Sequence, residues 1–142
     1  MNTRTLLVGL IMFALVSTAG CESLATRKRA NALTDTLRAY ETAIRWGMFS
    51  HAYRLRLPEK GAKPKPPPAS LDNVRVTAYE VLSPPTLVDP DTAVQTVGIE
   101  YVLKDAQTLH KLIDEQVWRY DKEHKVWRLA SPAPTFGQGN PR

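Results

Sequence analysis

In residues 93–104, AVQTVGIEYVLK, the side chains alternate between apolar and polar with a period of two. Such alternation is typical of a β-strand with one face in the core and the other in water. One face carries Val97, Ile99, Tyr101 and Leu103, and the other carries Thr96, Gly98 and Glu100. The stretch therefore predicts a sheet that is covered on one side only.

Beside this strand lie a second segment with the same apolar–polar alternation and two segments that predict turns. Residues 73–82 alternate in the same way and predict a second strand, which the prolines of residues 83–85 break or bend. Residues 89–91, Asp-Pro-Asp, and residues 105–107 predict turns. The pattern of residues 108–120 also fits a helix face, but we predict a strand because a hairpin partner follows it.

That hairpin closes the predicted sheet. Residues 121–124, Asp-Lys-Glu-His, are predicted to form its loop, so that Trp118 faces Trp127 and Tyr120 faces Lys125. Aromatic pairs across a hairpin stabilise it by roughly 0.2–1 kcal/mol. The sequence therefore predicts four antiparallel strands in chain order.

One amphipathic helix precedes the strands. In residues 31–46 the apolar side chains recur at helical spacing, Asn31 is the predicted N-cap, and Gly47 can end the helix with a positive φ. The residues of the apolar face are Leu33, Leu37, Tyr40 and Ile44. Because this face and that of residues 93–104 must both be buried, we predict an α+β fold: one long N-terminal helix packed on a curved antiparallel sheet of about four strands.

Two further segments lack periodicity. Residues 58–70 contain five prolines and three lysines and predict an extended, solvated loop. Such a run could bind an aromatic groove, but we favour the interpretation that it spans a distance. Residues 131–142 are rich in proline and glycine and predict a flexible C-terminal tail.

The start of the chain has the composition of an export signal. Residues 1–4 are polar with one positive charge, and residues 6–16 are apolar apart from Gly9. This apolar run is shorter than the ~20 residues that span a bilayer, and small residues follow it. They lead into Cys21, the only cysteine of the chain.

The run Thr18-Ala19-Gly20-Cys21 closely resembles the lipobox of bacterial lipoproteins. The resemblance implies that residues 1–20 are a signal peptide, that the Cys21 thiol carries a diacylglyceryl group, and that the new amino terminus is acylated, as with palmitate. Stable anchoring needs more than one acyl chain, which this arrangement provides. Residues 21–30 would form a lipidated tether, and Glu22 after the cysteine implies the outer membrane, facing the periplasm. A secreted protein with a free Cys21 and an uncleaved membrane anchor are the alternatives.

The rest of the chain also has a resemblance. A helix ending in residues 43–47 (AIRWG), followed by strands that close on residues 116–120 (QVWRY) and 127–129 (WRL), resembles small proteobacterial lipoproteins of the cystatin-like and NTF2-like fold group. The resemblance implies that residues 31–130 form one domain with a cavity between sheet and helix. The candidate lining residues are Tyr40, Trp46, Tyr79, Tyr101, His110 and Trp118.

Composition and motifs argue against several classes of function. The formal net charge of +5 is modest, so we expect no nucleic-acid partner. The sequence has neither a His/Cys cluster with metal-ligand spacing nor a glycine-rich phosphate loop, so we expect no metal and no cofactor.

We therefore expect a non-catalytic binding or assembly module on the membrane, with another envelope protein or an apolar small molecule as its partner. One alternative is an enzyme of the NTF2-like isomerase or dehydratase type that uses His110 or Asp114 for acid–base chemistry. Another is a purely structural surface lipoprotein. An enzyme should hold a water-excluded polar site within the cavity, whereas a module should hold none.

Overall fold

In the computed structural model, residues 3–59 and 62–137 are described, with side chains from Leu24 onward. The elements in chain order are α1 (Thr3–Arg45), α2 (Phe49–Arg54), a 3₁₀ helix (Ala69–Asn73), β1 (Val74–Asp89), β2 (Thr92–Leu103), β3 (Leu109–Asp121) and β4 (Val126–Leu129). The strands form one antiparallel sheet in the order β1-β2-β3-β4. The predicted α+β class and the four-stranded meander are confirmed.

The chain forms two compact units, residues 1–34 and 35–142. Within the described residues, the first unit is the N-terminal part of α1. The second contains the end of α1 and the whole sheet. No helix in the described part of the chain has the length and apolar character that crossing a membrane requires.

Helix α1 starts well before the predicted N-cap. It passes through Asn31 without a break, so the boundary predicted there is wrong. The reason is local, because residues 22–46 contain no glycine or proline and residues 22–30 are mostly good helix formers.

The end of α1 is closed by a Schellman motif. Gly47 has φ +67°, the Met48 N–H donates to the Ala43 carbonyl at 2.8 Å, and the Gly47 N–H donates to the Ile44 carbonyl at 3.1 Å. Gly47 is therefore the helix-ending residue that the sequence predicts, and Trp46 is held directly before it.

The end of α1 packs on the sheet within the second unit. The Tyr40 ring lies edge-on to the Trp118 indole, with ring centroids 5.2 Å apart. On the helix-facing side of β2 the buried residues are Ala93, Gln95, Val97, Ile99 and Tyr101. The predicted face of residues 93–104 is thus in the core, although it also carries a glutamine.

Strand β1 is longer than predicted. It continues past Pro84 and Pro85 to Asp89, with irregular register between Val81 and Ser83 and between Ser83 and Thr86. The prolines bend the strand without ending it, because β1 is an edge strand and one side of it needs no ladder hydrogen bonds.

Strand β3 confirms the strand predicted for residues 108–120, but the hairpin register is wrong by two residues. Tyr120 pairs with Trp127 and Trp118 pairs with Leu129. Asp121 is the cause, since its Oδ1 accepts the Glu123 and His124 N–H groups at 3.0 and 3.1 Å and so starts the loop one residue later. Lys125, with φ 56°, then closes the loop.

The outer edge of β4 is covered by the segment after α2. Arg56 forms a parallel bridge with Leu129, the Leu57 N–H donates to the Leu129 carbonyl at 2.8 Å, and the Leu129 N–H donates to the Leu55 carbonyl at 2.9 Å. Residues 55–57 therefore act as a short fifth strand, which holds Arg56 against the sheet.

Candidate functional site

The structure separates the six predicted lining residues by exposure. Trp46 is 77% exposed, and His110 is half-buried and stacked on Tyr101 with ring centroids 5.2 Å apart. The buried members are Tyr40, Tyr79, Tyr101 and Trp118. The predicted set therefore contains four core residues, one half-buried residue and one surface residue.

The C-terminal tail covers the Tyr101 end of the core. The Phe136 ring lies edge-on to Tyr101 at 5.0 Å and meets Phe49 at 5.7 Å between ring centroids. The Gly137 N–H donates to the Tyr101 hydroxyl at 2.9 Å. The start of the predicted flexible tail is thus in contact with the core, and residues 138–142 lie outside the described residues.

A buried polar cluster lies on the helix-facing side of the sheet. Its members are Tyr79, Gln95, Asp114, Gln116 and Trp118. Strand register brings them together, because Gln95 pairs with Gln116 and Val97 pairs with Asp114. Sequence reasoning named Asp114 but missed the two glutamines, although their positions share the period of the buried face.

Gln116 connects the members of this polar cluster. Its Nε2 donates to Asp114 Oδ2 at 2.6 Å and to the Tyr79 hydroxyl at 3.2 Å. Its Oε1 accepts from Gln95 Nε2 at 2.7 Å and from Trp118 Nε1 at 3.1 Å. Because both ends of the amide are engaged, the cluster satisfies its own buried polar groups, as a structural network does.

Burial perturbs the acid of the polar cluster. It raises the pKa of Asp114 from its ordinary value of 3.8 to about 6, although the hydrogen bond from Gln116 opposes this rise. Burial also raises the pKa of the Tyr79 and Tyr40 hydroxyls. A carboxyl group that titrates near pH 6 can serve as a general base, so Asp114 deserves a test of that role.

His110 and Asp114 do not form an acid–base pair. His110 lies opposite Tyr101 in the sheet and Asp114 lies opposite Val97. Asp114 Oδ2 instead accepts a hydrogen bond from Gln116 Nε2. Neither His110 nor Asp114 lines any of three pockets on the described part of the chain.

One of these pockets is a groove of about 590 Å³ at the C-terminal end of α1, which we call the end groove. Its apolar lining residues are Trp46, Phe49, Leu71, Val74 and Val76. Its charged lining residues are Arg45, Asp72, Arg75 and Lys104. The end groove therefore combines an apolar surface with an excess of positive charge.

The cations of the end groove differ in their partners. Arg45 pairs with Glu41 at 3.4 Å, and Lys104 Nζ donates to the Asp72 carbonyl at 2.7 Å. Among the described residues, Arg75 has no ion pair. Exposed pairs contribute little, about 0–1 kcal/mol, so an anionic ligand could compete for these side chains.

Sequence reasoning found only part of the end groove. The sequence predicts Trp46 as a lining residue of the cavity between sheet and helix. Arg75, near the start of β1, and Lys104, directly after β2, lie at the same end of the β1–β2 hairpin because Val74 pairs with Leu103. Their proximity follows from strand register, which alternation alone does not define. The Schellman motif then sets Trp46 beside them.

The described residues contain no group of three or more His, Cys, Asp or Glu side chains placed to hold a metal ion. No family model, curated protein or solved structure matched the chain. Function is therefore inferred from the arrangement of the side chains.

Proposed function

We propose that the protein is a lipid-anchored envelope lipoprotein whose folded unit is a non-catalytic binding module. In this proposal the end groove binds an amphipathic molecule with an anionic group. The observation that carries it is Trp46, which is 77% exposed and borders a groove that also contains Arg75 and Lys104.

The anchor is proposed from the sequence pattern around Cys21, whose side chain lies outside the described residues. The lipid on Cys21 would hold the module at the outer membrane, facing the periplasm. The membrane is then its first partner, and the ligand of the end groove is its second.

Replacing Cys21 by serine tests the anchor. A thiolate is the nucleophile that a thioether-linked lipid requires, so Cys21→Ser is expected to abolish fatty-acid labelling and leave unprocessed precursor. The measurement is incorporation of labelled palmitate in growing bacteria, with Ser23→Ala as the control. Equal labelling of the Cys21→Ser variant and the natural chain would disprove the lipoprotein proposal.

The dimensions and charge of the end groove support a small amphipathic ligand. Its volume of about 590 Å³ lies within the range of ~300–1,000 Å³ that is usual for ligand pockets. An aromatic or aliphatic part would cover Leu71 and Val76, and an anionic group would face Arg75. An exposed tryptophan beside such a groove can stack on the apolar part of a ligand.

Naphthoate, an aromatic carboxylate, is a suitable probe of this site, and naphthol has the same rings without the charge. We expect the full chain in non-ionic detergent to bind naphthoate saturably and more tightly than naphthol. Arg75→Glu should weaken naphthoate binding by about fivefold, since an exposed charge contributes up to ~1 kcal/mol. Arg119→Glu, a reversal of an exposed charge on β3, should have no effect. Equal affinities of the natural chain and the Arg75→Glu variant would contradict the proposal.

An enzyme remains the second candidate because Asp114 supplies the water-excluded polar group that an enzyme requires. Its partner Gln116 is fully engaged within the polar cluster, which fits a structural role better. If the Asp114→Asn and His110→Ala variants each fully complement a deletion strain, the enzymatic candidate fails. If the Asp114→Asn variant folds but does not complement the deletion, the non-catalytic proposal fails instead.

A further inference from the structure

A second site, separate from the end groove, surrounds Arg56. Arg56 lies in the segment that covers β4, so hydrogen bonds on both sides of it hold its backbone to the sheet. Its guanidinium lies 5.4 Å from the centre of the Tyr53 ring, which is the geometry of a cation–π contact. The Arg56 side chain is therefore held at its Cα by the sheet, and the Tyr53 ring contacts one face of its guanidinium.

The Nε atom of the Arg56 guanidinium is buried and without an acceptor among the described residues. Arg128, the neighbouring arginine, has the same buried Nε but donates from Nη1 to the Arg54 carbonyl at 3.0 Å and lies 3.7 Å from Asp121. A buried donor without an acceptor is unfavourable, so a ligand oxygen that supplies one would be favoured.

The acid that lines the cavity beside Arg56, Glu59, does not fill this role. Glu59 accepts a hydrogen bond from Lys65 at 2.9 Å. The pKa of Glu59 is lowered chiefly by that bond and by the charge of Lys65, and only weakly by Arg56. Lys63 adds a further positive charge without an ion pair among the described residues. Among the described residues, the site therefore has three cations and one acid, and that acid is hydrogen-bonded to one of the three cations.

A cavity of about 110 Å³ connects these groups. Tyr53, Arg56, Glu59, Lys63 and Lys65 line it. This volume is well below the ~300–1,000 Å³ of pockets for drug-sized ligands and suits a group of a few atoms. An arginine fork matches the two oxygens of a carboxylate or phosphate, and charge-assisted hydrogen bonds of this kind are the strongest in proteins.

We propose that the cavity beside Arg56, which we call the oxyanion pocket, binds a small oxyanion: a carboxylate or a phosphate group. Arg56 would donate to two of its oxygens, and Lys63 would approach it from the proline-rich loop. This assigns a role in binding an oxyanion to a loop for which the sequence favours the interpretation of a spacer.

The test uses the full chain in non-ionic detergent with inorganic phosphate and acetate as probes. Backbone amide signals of Leu57 and Ala62, which line the cavity, report binding in NMR titrations, with chloride at equal ionic strength as the reference. We expect saturable shifts with at least one probe. Saturation by phosphate alone supports a phosphate ligand, and saturation by acetate alone supports a carboxylate ligand.

Variants distinguish a bidentate hydrogen bond of Arg56 to the oxyanion from non-specific electrostatic attraction by positive charge. Arg56→Lys keeps the charge but loses the fork, so its dissociation constant should rise about tenfold, whereas the exposed Arg54→Lys should bind as the natural chain does. Glu59→Gln changes only an exposed side chain and should bind about threefold more tightly, because one opposing charge is gone. The proposal is overturned if neither probe shifts the signals more than chloride does. It is also overturned if Arg56→Lys keeps full affinity, or if Glu59→Gln binds more weakly.

Discussion

Replacing Trp127 by alanine is expected to lower the free energy of unfolding by about 3–5 kcal/mol. The Trp127 side chain is 2% exposed, and its ring lies edge-on to Tyr120 at 5.4 Å between centroids. Strand β4 has only four residues, so it depends strongly on this one large side chain. Domains have only ~5–15 kcal/mol of stability in total, and this loss is a large share of it.

Urea unfolding measures the effect of this substitution. Trp127→Phe should lower the midpoint much less, because an aromatic ring still fills most of the site. Trp46→Ala is the matched control, since Trp46 is exposed and its loss should change stability by less than about 0.5 kcal/mol. Coincident midpoints for Trp127→Ala and the natural chain would show that β4 does not close the core.

Replacing Asp114 by asparagine is expected to stabilise the protein at neutral pH. The folded state raises the pKa of Asp114 from 3.8 to about 6, so between these values the folded protein binds more protons than the unfolded chain. The contribution of Asp114 to the free energy of unfolding is therefore fully present below about pH 4, and it is lost as the pH rises through about 6. Because one pKa unit corresponds to ~1.36 kcal/mol, the loss above pH 6 is at most about 3 kcal/mol.

Asparagine avoids this loss because it is uncharged, and its oxygen can still accept the hydrogen bond from Gln116 Nε2. The free energy of unfolding of Asp114→Asn should exceed that of the natural chain at pH 8, and the two should converge at pH 4. Asp105→Asn, a change of an exposed acid in the β2–β3 turn, should run parallel to the natural chain. If Asp114→Asn also runs parallel to it from pH 4 to pH 8, the carboxyl group of Asp114 is not buried as described.

Much of the fold could be predicted from periodicity because burial on one face leaves a direct trace in the sequence. Val97, Ile99 and Tyr101 alternate with polar residues, and all three are in the core. The strand at residues 108–120 was ambiguous by period alone. The hairpin pattern that follows it favours a strand over a helix, and the strand is confirmed.

The errors arose where one side chain or one backbone conformation overrides the pattern. Asp121 accepts hydrogen bonds from two loop N–H groups, and Lys125 takes a positive φ. As a result, the observed β3–β4 register differs from the predicted one by two residues. Neither effect is visible in hydrophobic periodicity. The start of α1 was misplaced for a similar reason, since Asn31 is an acceptable N-cap but also tolerable within a helix.

The candidate sites were less predictable because they depend on contacts between distant segments. Trp46 was identified, but the charges that accompany it lie on β1 and after β2. The sequence does not single out Arg56, because the burial of its Nε without an acceptor among the described residues is a property of the packed structure. The polar cluster follows from cross-strand pairing of Gln95 with Gln116.

We expect the ligand to enter the end groove and not the core, and the three tryptophans of the chain can test this together. Their indole N–H signals are observed by NMR during a naphthoate titration, and the Trp46→Phe variant identifies the signal of Trp46. Trp118 and Trp127 are buried, and the Trp118 N–H donates to Gln116 within the polar cluster. We predict a saturable shift of the Trp46 signal while the other two stay in place. A shift of the Trp118 signal without one at Trp46 would place the ligand beside the polar cluster and contradict this expectation.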